Sequence, residues 1–222
     1  MARRRAMAIG LCLTLLFAWA PARATTVTYN LDVVFSPPTG SVAPSASVTL
    51  TDLGQAVRFD VLNQAGAGAK LDSFYFNFAH GAVNPNQLVF SNVSAAPYTY
   101  STLLAPSTGA TLSGLKADGD GYYDGKFHYA GSNFLGHGQT LSFQLSAAGH
   151  DLDVGNFHFF SLPGGGTGTY IMASHLQNLS PGGTSAWVGT VAAVPLPGAV
   201  WLFGSGLAGL IGFARTKRAS LQ

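Results

Sequence analysis

The stretch Val27-Thr28-Tyr29-Asn30-Leu31-Asp32-Val33-Val34-Phe35 sets Val27, Tyr29, Leu31, Val33 and Phe35 two residues apart. That spacing brings side chains to one face of an extended strand. The same period recurs in Val57, Phe59 and Val61; in Phe74, Phe76 and Phe78; in Leu141, Phe143 and Leu145; in Phe157 and Phe159; and in Tyr170 and Met172. Further strands are expected over 47–53, 87–93, 98–103, 125–129 and 185–191. Between them lie turn formers such as Ser36-Pro37-Pro38-Thr39-Gly40, Asn84-Pro85-Asn86 and Pro163-Gly164-Gly165-Gly166. Helical periodicity with caps is not seen between residues 25 and 193. Short antiparallel strands with turns at this spacing predict an all-β domain, a two-sheet antiparallel β-sandwich or jelly roll, with an open or closed barrel as the alternative. The Phe and Tyr content supplies the apolar surface that a disordered Gly- and Ser-rich chain lacks.

The two ends of the chain read differently from its middle. Residues 1–24 have the plan of a secretory signal peptide: Arg3, Arg4 and Arg5, an apolar run from Ala6 to Ala20, then Ala22-Arg23-Ala24 as the cleavage site. Cleavage between Ala24 and Thr25 is expected, with an uncleaved N-terminal anchor as the alternative. Cys12, the single cysteine, falls inside this signal. The exported chain then has no disulfide, thiol nucleophile or Cys-ligated zinc. At the other end, Gly198 to Ala214 carries no charge. It is just long enough to cross a membrane as a helix, and Pro195 and Pro197 set its start. Arg215, Lys217 and Arg218 follow, so residues 219–222 are expected in the cytoplasm. Gly204, Ala208 and Gly212 give the helix a small-residue face that another helix can approach.

The tail at 194–218 resembles the PEP-CTERM sorting signal of Gram-negative bacteria. The resemblance is carried by Val194-Pro195-Leu196-Pro197, the Gly-rich apolar segment and the basic end. The named box has Glu between its prolines, so Leu196 makes this the VPLP variant. The resemblance implies recognition by an exosortase-type membrane protease, cleavage near the box, and release from a transient inner-membrane anchor to the cell surface or exopolysaccharide matrix. Residues 117–189 also resemble, less specifically, domains found upstream of such tails. The matching pieces are the stretch from Asp118 to Asp124, the aromatic run Phe157 to Phe160, Ala173-Ser174-His175-Leu176-Gln177 and Ser185-Ala186-Trp187-Val188-Gly189. Those domains carry no agreed activity.

Seven of the eleven basic residues lie in the two end segments. The surface domain at 25–193 keeps Arg58, Lys70, Lys116 and Lys126 against nine aspartates, a net charge of −5. An acidic domain gives no support to nucleic-acid binding. Glutamate is absent from the whole chain, so a paired-carboxylate glycosidase would need two aspartates. His80, His128, His137, His150, His158 and His175 pair at no metal-ligand spacing. Neither a nucleophile elbow nor a phosphate loop is present.

Asp118, Asp120 and Asp124, spaced by Gly119, Gly121 and Gly125, form a candidate calcium loop, to which Asp151 and Asp153 are possible additional ligands. A solvated Asp-Gly turn explains the same residues. Tyr98, Tyr100, Tyr122, Tyr123 and Trp187 form a candidate stacking platform for sugars, with core burial as the competing account. The chain is therefore read as a non-enzymatic surface or exopolysaccharide-matrix protein with a structural, adhesive or carbohydrate-binding role. The alternative is a secreted hydrolase of extracellular polysaccharide with dispersed Asp and His residues.

Overall fold

The computed structural model describes residues 25–36, 45–79, 85–94, 99–105, 115–118, 121–131, 134–166, 168–180, 182–191 and 193–194. The expected signal with Ala24, the Pro195-Leu196-Pro197 box, the helix expected over 198–214, and also His80, Tyr98 and Asp120, lie outside them. Among the described residues no helix is long and apolar enough to cross a membrane.

The protein is all-β, in antiparallel sheets. The first sheet contains β1 (Thr26–Leu31), β3 (Ala46–Asp52), β4 (Ala56–Asn63), β6 (Leu88–Ser91), β12 (Thr140–Ala147) and β16 (Ala193–Val194), in the order β16-β1-β3-β4-β12-β6. The second contains β2 (Val33–Ser36), β5 (Lys70–Phe76), β7 (Tyr100–Leu104), β10 (Gly125–Tyr129), β11 (Leu135–Gly136), β14 (Met172–Leu179) and β15 (Thr184–Thr190). Its order is β2-β15-β14-β5-β10-β7, with β11 also paired to β5. A small third sheet joins β8 (Lys116–Ala117), β9 (Gly121–Tyr122) and β13 (Leu162–Pro163).

Alternation explains the core. Val57, Phe59 and Val61 on β4, and Leu141, Phe143 and Leu145 on β12, are buried, while the residues between them are not. Phe59 pairs directly with Phe143, and their rings stack 4.9 Å apart. From the second sheet, Phe76 meets Phe59 at 5.4 Å and Phe127 meets Phe143 at 5.8 Å, so one core is shared by both sheets. The crossing from β4 to β5 is pinned by the fully buried Asn63. Its amide donates to the Ala69 and Leu135 carbonyls, and its oxygen accepts from the Ala65 N–H. The corner therefore leaves none of the Asn63 side chain's polar atoms unpaired in the interior.

The structure corrects the sequence reading at three places. Val33 and Phe35 do not share a face with Tyr29 and Leu31. The extended run breaks at Asp32, with β1 pairing β3 in the first sheet and β2 pairing β15 in the second. Val34 packs on the main core, whereas Phe35 packs on a second cluster on the far side of the second sheet. Phe157 and Phe159 do not form a strand. Asp153 and Asn156 exchange side-chain-to-backbone hydrogen bonds of 3.1 and 2.8 Å, a capping box that winds Val154–Phe157 into a 3-10 turn. Phe157 then enters the core edge-on to Phe59, and Phe159 is left outside. Finally, β5 is not half-buried. Every residue from Leu71 to Phe76 is buried, because Leu115, Ala117, Tyr123 and Ala173 cover Tyr75 on its outer face.

Candidate functional site

The aspartate loop and its neighbours shape a cleft beside the small third sheet. The strands β8 and β9 form a hairpin, Lys116 opposite Tyr122 and Ala117 opposite Gly121, with Asp118 at its turn in the left-handed region at φ 39°. An aspartate tolerates that conformation better than most residues. The strand β13 adds Leu162 opposite Tyr122. Past the end of β5 the chain is held by polar contacts. The Phe78 N–H donates to Asp124 Oδ2 at 3.1 Å, and the Asn77 amide donates to the Ile171 and Tyr170 carbonyls. Asp124, only 2% exposed, stands beside Gly125, where the Phe76 ring lies so close that a Cβ would sit 2.2 Å from it.

Between these pieces lies a cleft of about 260 Å³. Asn77, Phe78 and Asp124 line one part of it, and Tyr122, Phe159, Phe160 and Leu162 the rest. Phe159 and Phe160 are 43% and 52% exposed. Two large apolar side chains left in water beside a concavity are a feature of binding surfaces rather than of a closed core. The Lys116 ammonium lies 5.3 Å from the centre of the Tyr122 ring, close enough for cation–π attraction.

The candidate calcium ligands are divided in their surroundings. Asp118 is exposed at the hairpin turn, and Asp124 is buried, its Oδ2 accepting from the Phe78 N–H. Asp120 lies outside the described residues. Asp153 caps the 3-10 turn, while Asp151 and His150 line a separate hollow next to Val89. No group of three or more His, Cys, Asp or Glu side chains that could hold a metal ion occurs among the described residues.

The aromatic residues singled out from the sequence do not form one platform. Tyr123 is fully buried, Tyr100 stacks on the core ring of Phe127, and Trp187 stacks on His175 at 4.6 Å. Among the described ones only Tyr122 reaches the cleft, where Phe160 and Phe159, the latter expected on a strand with Phe157, line it too. Adjacency held the missed signal: two consecutive aromatic residues point to opposite faces of a strand, so a half-buried strand cannot bury both.

A second polar centre sits on the outer face of the second sheet. Ser73 lies in one row with His128 on β10 and His175 on β14. Asp72, at the irregularity in β5, accepts from Ser73 Oγ at 2.7 Å, Gln177 Nε2 at 2.6 Å and His175 Nδ1 at 2.9 Å. Burial pushes this carboxyl up, but the His175 hydrogen bond and charge, with the Ser73 and Gln177 bonds, outweigh it and hold the pKa below its ordinary value. Burial, with the Lys126 charge, lowers the pKa of His128. Elsewhere His158 Nδ1 meets the Tyr29 hydroxyl at 2.9 Å, and burial pushes that phenol up to about 12. His137 Nδ1 contacts the Ala65 carbonyl. Asp72 went unnoticed in the sequence, although a carboxylate inside the run Leu71-Asp72-Ser73-Phe74 is the kind of polar interruption that signals a paired group.

A scan against models of protein families and searches of curated proteins and of solved structures found no match to this chain.

Proposed function

We propose that this chain is an exported surface or exopolysaccharide-matrix protein. In this reading its β-domain, a two-sheet sandwich or jelly roll, holds a glycan in the cleft between Tyr122, Phe159 and Phe160. The carrying observation is the pair of exposed phenylalanines beside a concavity whose wall includes a carboxylate. The apolar face of a sugar ring packs on such side chains, and polar groups at the base orient its hydroxyls. Export is supported by the signal-like start and by the VPLP-type tail, through which an exosortase-type protease would release the domain from the inner membrane. Val194, the first residue of the VPLP stretch, pairs with Thr28 on β1.

The hydrolase alternative draws on the Asp72–His175 hydrogen bond. A carboxylate that engages Nδ1 leaves Nε2 as the proton acceptor of a neutral imidazole, the arrangement of an oriented general base. One experiment separates the two readings. The purified protein is incubated with a panel of extracellular polysaccharides, and both retention and chain cleavage are scored. Retention without product supports the binding protein. Product formation that disappears in His175→Gln supports the hydrolase.

A further inference from the structure

We infer that the sugar recognised by the cleft is a cationic one, an amino sugar in its ammonium form, rather than a neutral or acidic residue. The inference rests on the glycan-binding reading above. Its first support is the sign of charge. Among the described residues that line the cleft, Asp124 is the one ordinarily ionised at neutral pH, and its carboxylate also accepts from the Phe78 N–H. The rings of Phe78, Phe159 and Phe160 add faces whose quadrupole is negative. A partly desolvated ammonium is favoured by both, whereas a uronate or sulfate would meet like charge in a wall that water screens poorly.

The second support is the charge of the domain. Residues 25–193 carry nine aspartates against four basic residues. Lys116 already stands over the Tyr122 ring, so the ring faces left to a ligand ammonium are those of the phenylalanines. The third support is size. At about 260 Å³ the cleft is below the roughly 300–1,000 Å³ of sites that enclose a drug-sized ligand, so it takes one ring while the rest of a polymer runs over the surface. A polymer of hexosamine from which some acetyl groups have been removed presents such a ring, with one apolar face and one ammonium.

The test compares three short oligomers on the purified full-length protein in mild detergent. They are a glucosamine trimer at a pH where its amine is protonated, the fully N-acetylated trimer, and a uronate trimer. Short oligomers are used because a long polycation would adhere to any acidic protein. The glucosamine trimer is expected to bind at least about tenfold more tightly than the acetylated one, and its advantage should shrink as salt is raised. Asp124→Asn should remove that preference, while Phe160→Ala should weaken both hexosamine trimers. Asp118→Asn takes away one carboxylate at the exposed turn and should leave the preference unchanged. Should Asp124→Asn fail to fold, the ranking of the trimers and the Phe160→Ala result still decide. Equal binding of the two hexosamine trimers, or best binding of the uronate, would overturn the cationic assignment and leave a glycan-binding cleft standing. Failure of every trimer to bind would remove that reading as well.

Discussion

Replacing Asp72 by Asn tests the polar centre on the second sheet most directly. The substitution keeps the volume and one acceptor oxygen, but exchanges the other oxygen for an NH2 group. In the native protein Oδ2 accepts from both His175 Nδ1 and Gln177 Nε2, while Oδ1 accepts from Ser73. The new donor therefore faces two donors, or the amide flips and strands the Ser73 hydroxyl instead. Hydrogen bonds to a charged partner contribute about 1.5–3 kcal/mol each. His175 and Gln177 are only partly buried and recover part of this from water. The expected destabilisation is thus about 2–3 kcal/mol near neutral pH, less than the sum of two bonds. In urea, with a slope of about 2 kcal/mol per M, the midpoint should fall by roughly 1–1.5 M. The sign of the pH effect follows from the depressed folded-state pKa of Asp72. Its contribution is present above the unfolded value of about 3.9 and is lost as pH falls through the lower folded value. The gap between the native protein and Asp72→Asn should therefore narrow on acidification from about pH 5 to pH 3. A loss below about 0.5 kcal/mol, the range of an ordinary surface change, would refute the account. So would a gap that stays constant across that pH range.

Gly125→Ala should cost about 3 kcal/mol or more, because its Cβ would overlap the fully buried Phe76 ring, and Phe76→Leu in the same chain should recover part of the loss on thermal melting. Phe59→Ala should cost about 3–5 kcal/mol in chemical denaturation, since Phe59 stacks on Phe143 and touches Phe74, Phe76 and Phe157. If calcium occupies the aspartate loop, stability should rise by about 2.7 kcal/mol at a hundred times its dissociation constant, magnesium should do less, and Asp120→Asn should weaken the response. A melting curve unchanged from chelator to millimolar calcium would leave a plain turn. Fractionation of cells should show a membrane precursor and a shorter extracellular form. Replacing Pro195 and Pro197 by Ala should stop the shortening while leaving insertion intact, and a soluble cytoplasmic protein that keeps its tail would refute the export reading.

The strands were legible in the sequence wherever a single sheet face meets a single core. On β4 and β12 each alternate residue is apolar because the pleat turns each alternate residue inward, a local rule that needs no knowledge of the partner strand. The acidic charge of residues 25–193, and the absence of cysteine beyond Cys12 and of glutamate, were read directly from composition. Three features belong to the tertiary structure alone. The break at Asp32 sends Val33–Ser36 into the other sheet because pairing with β15 decides its partner, and alternation carries no information about which sheet a strand joins. The covering of the outer face of β5 at Tyr75 comes from Leu115, Ala117, Tyr123 and Ala173, residues distant from it in the chain. Asp72 meets His175 across 103 residues, and Phe159 and Phe160 line a cleft with Tyr122 and Asp124 because a capping box turned their segment out of the extended state. Period and composition are properties of neighbours along the chain. A site made by convergence from several strands exists only once loop closure and sheet packing have brought those strands together.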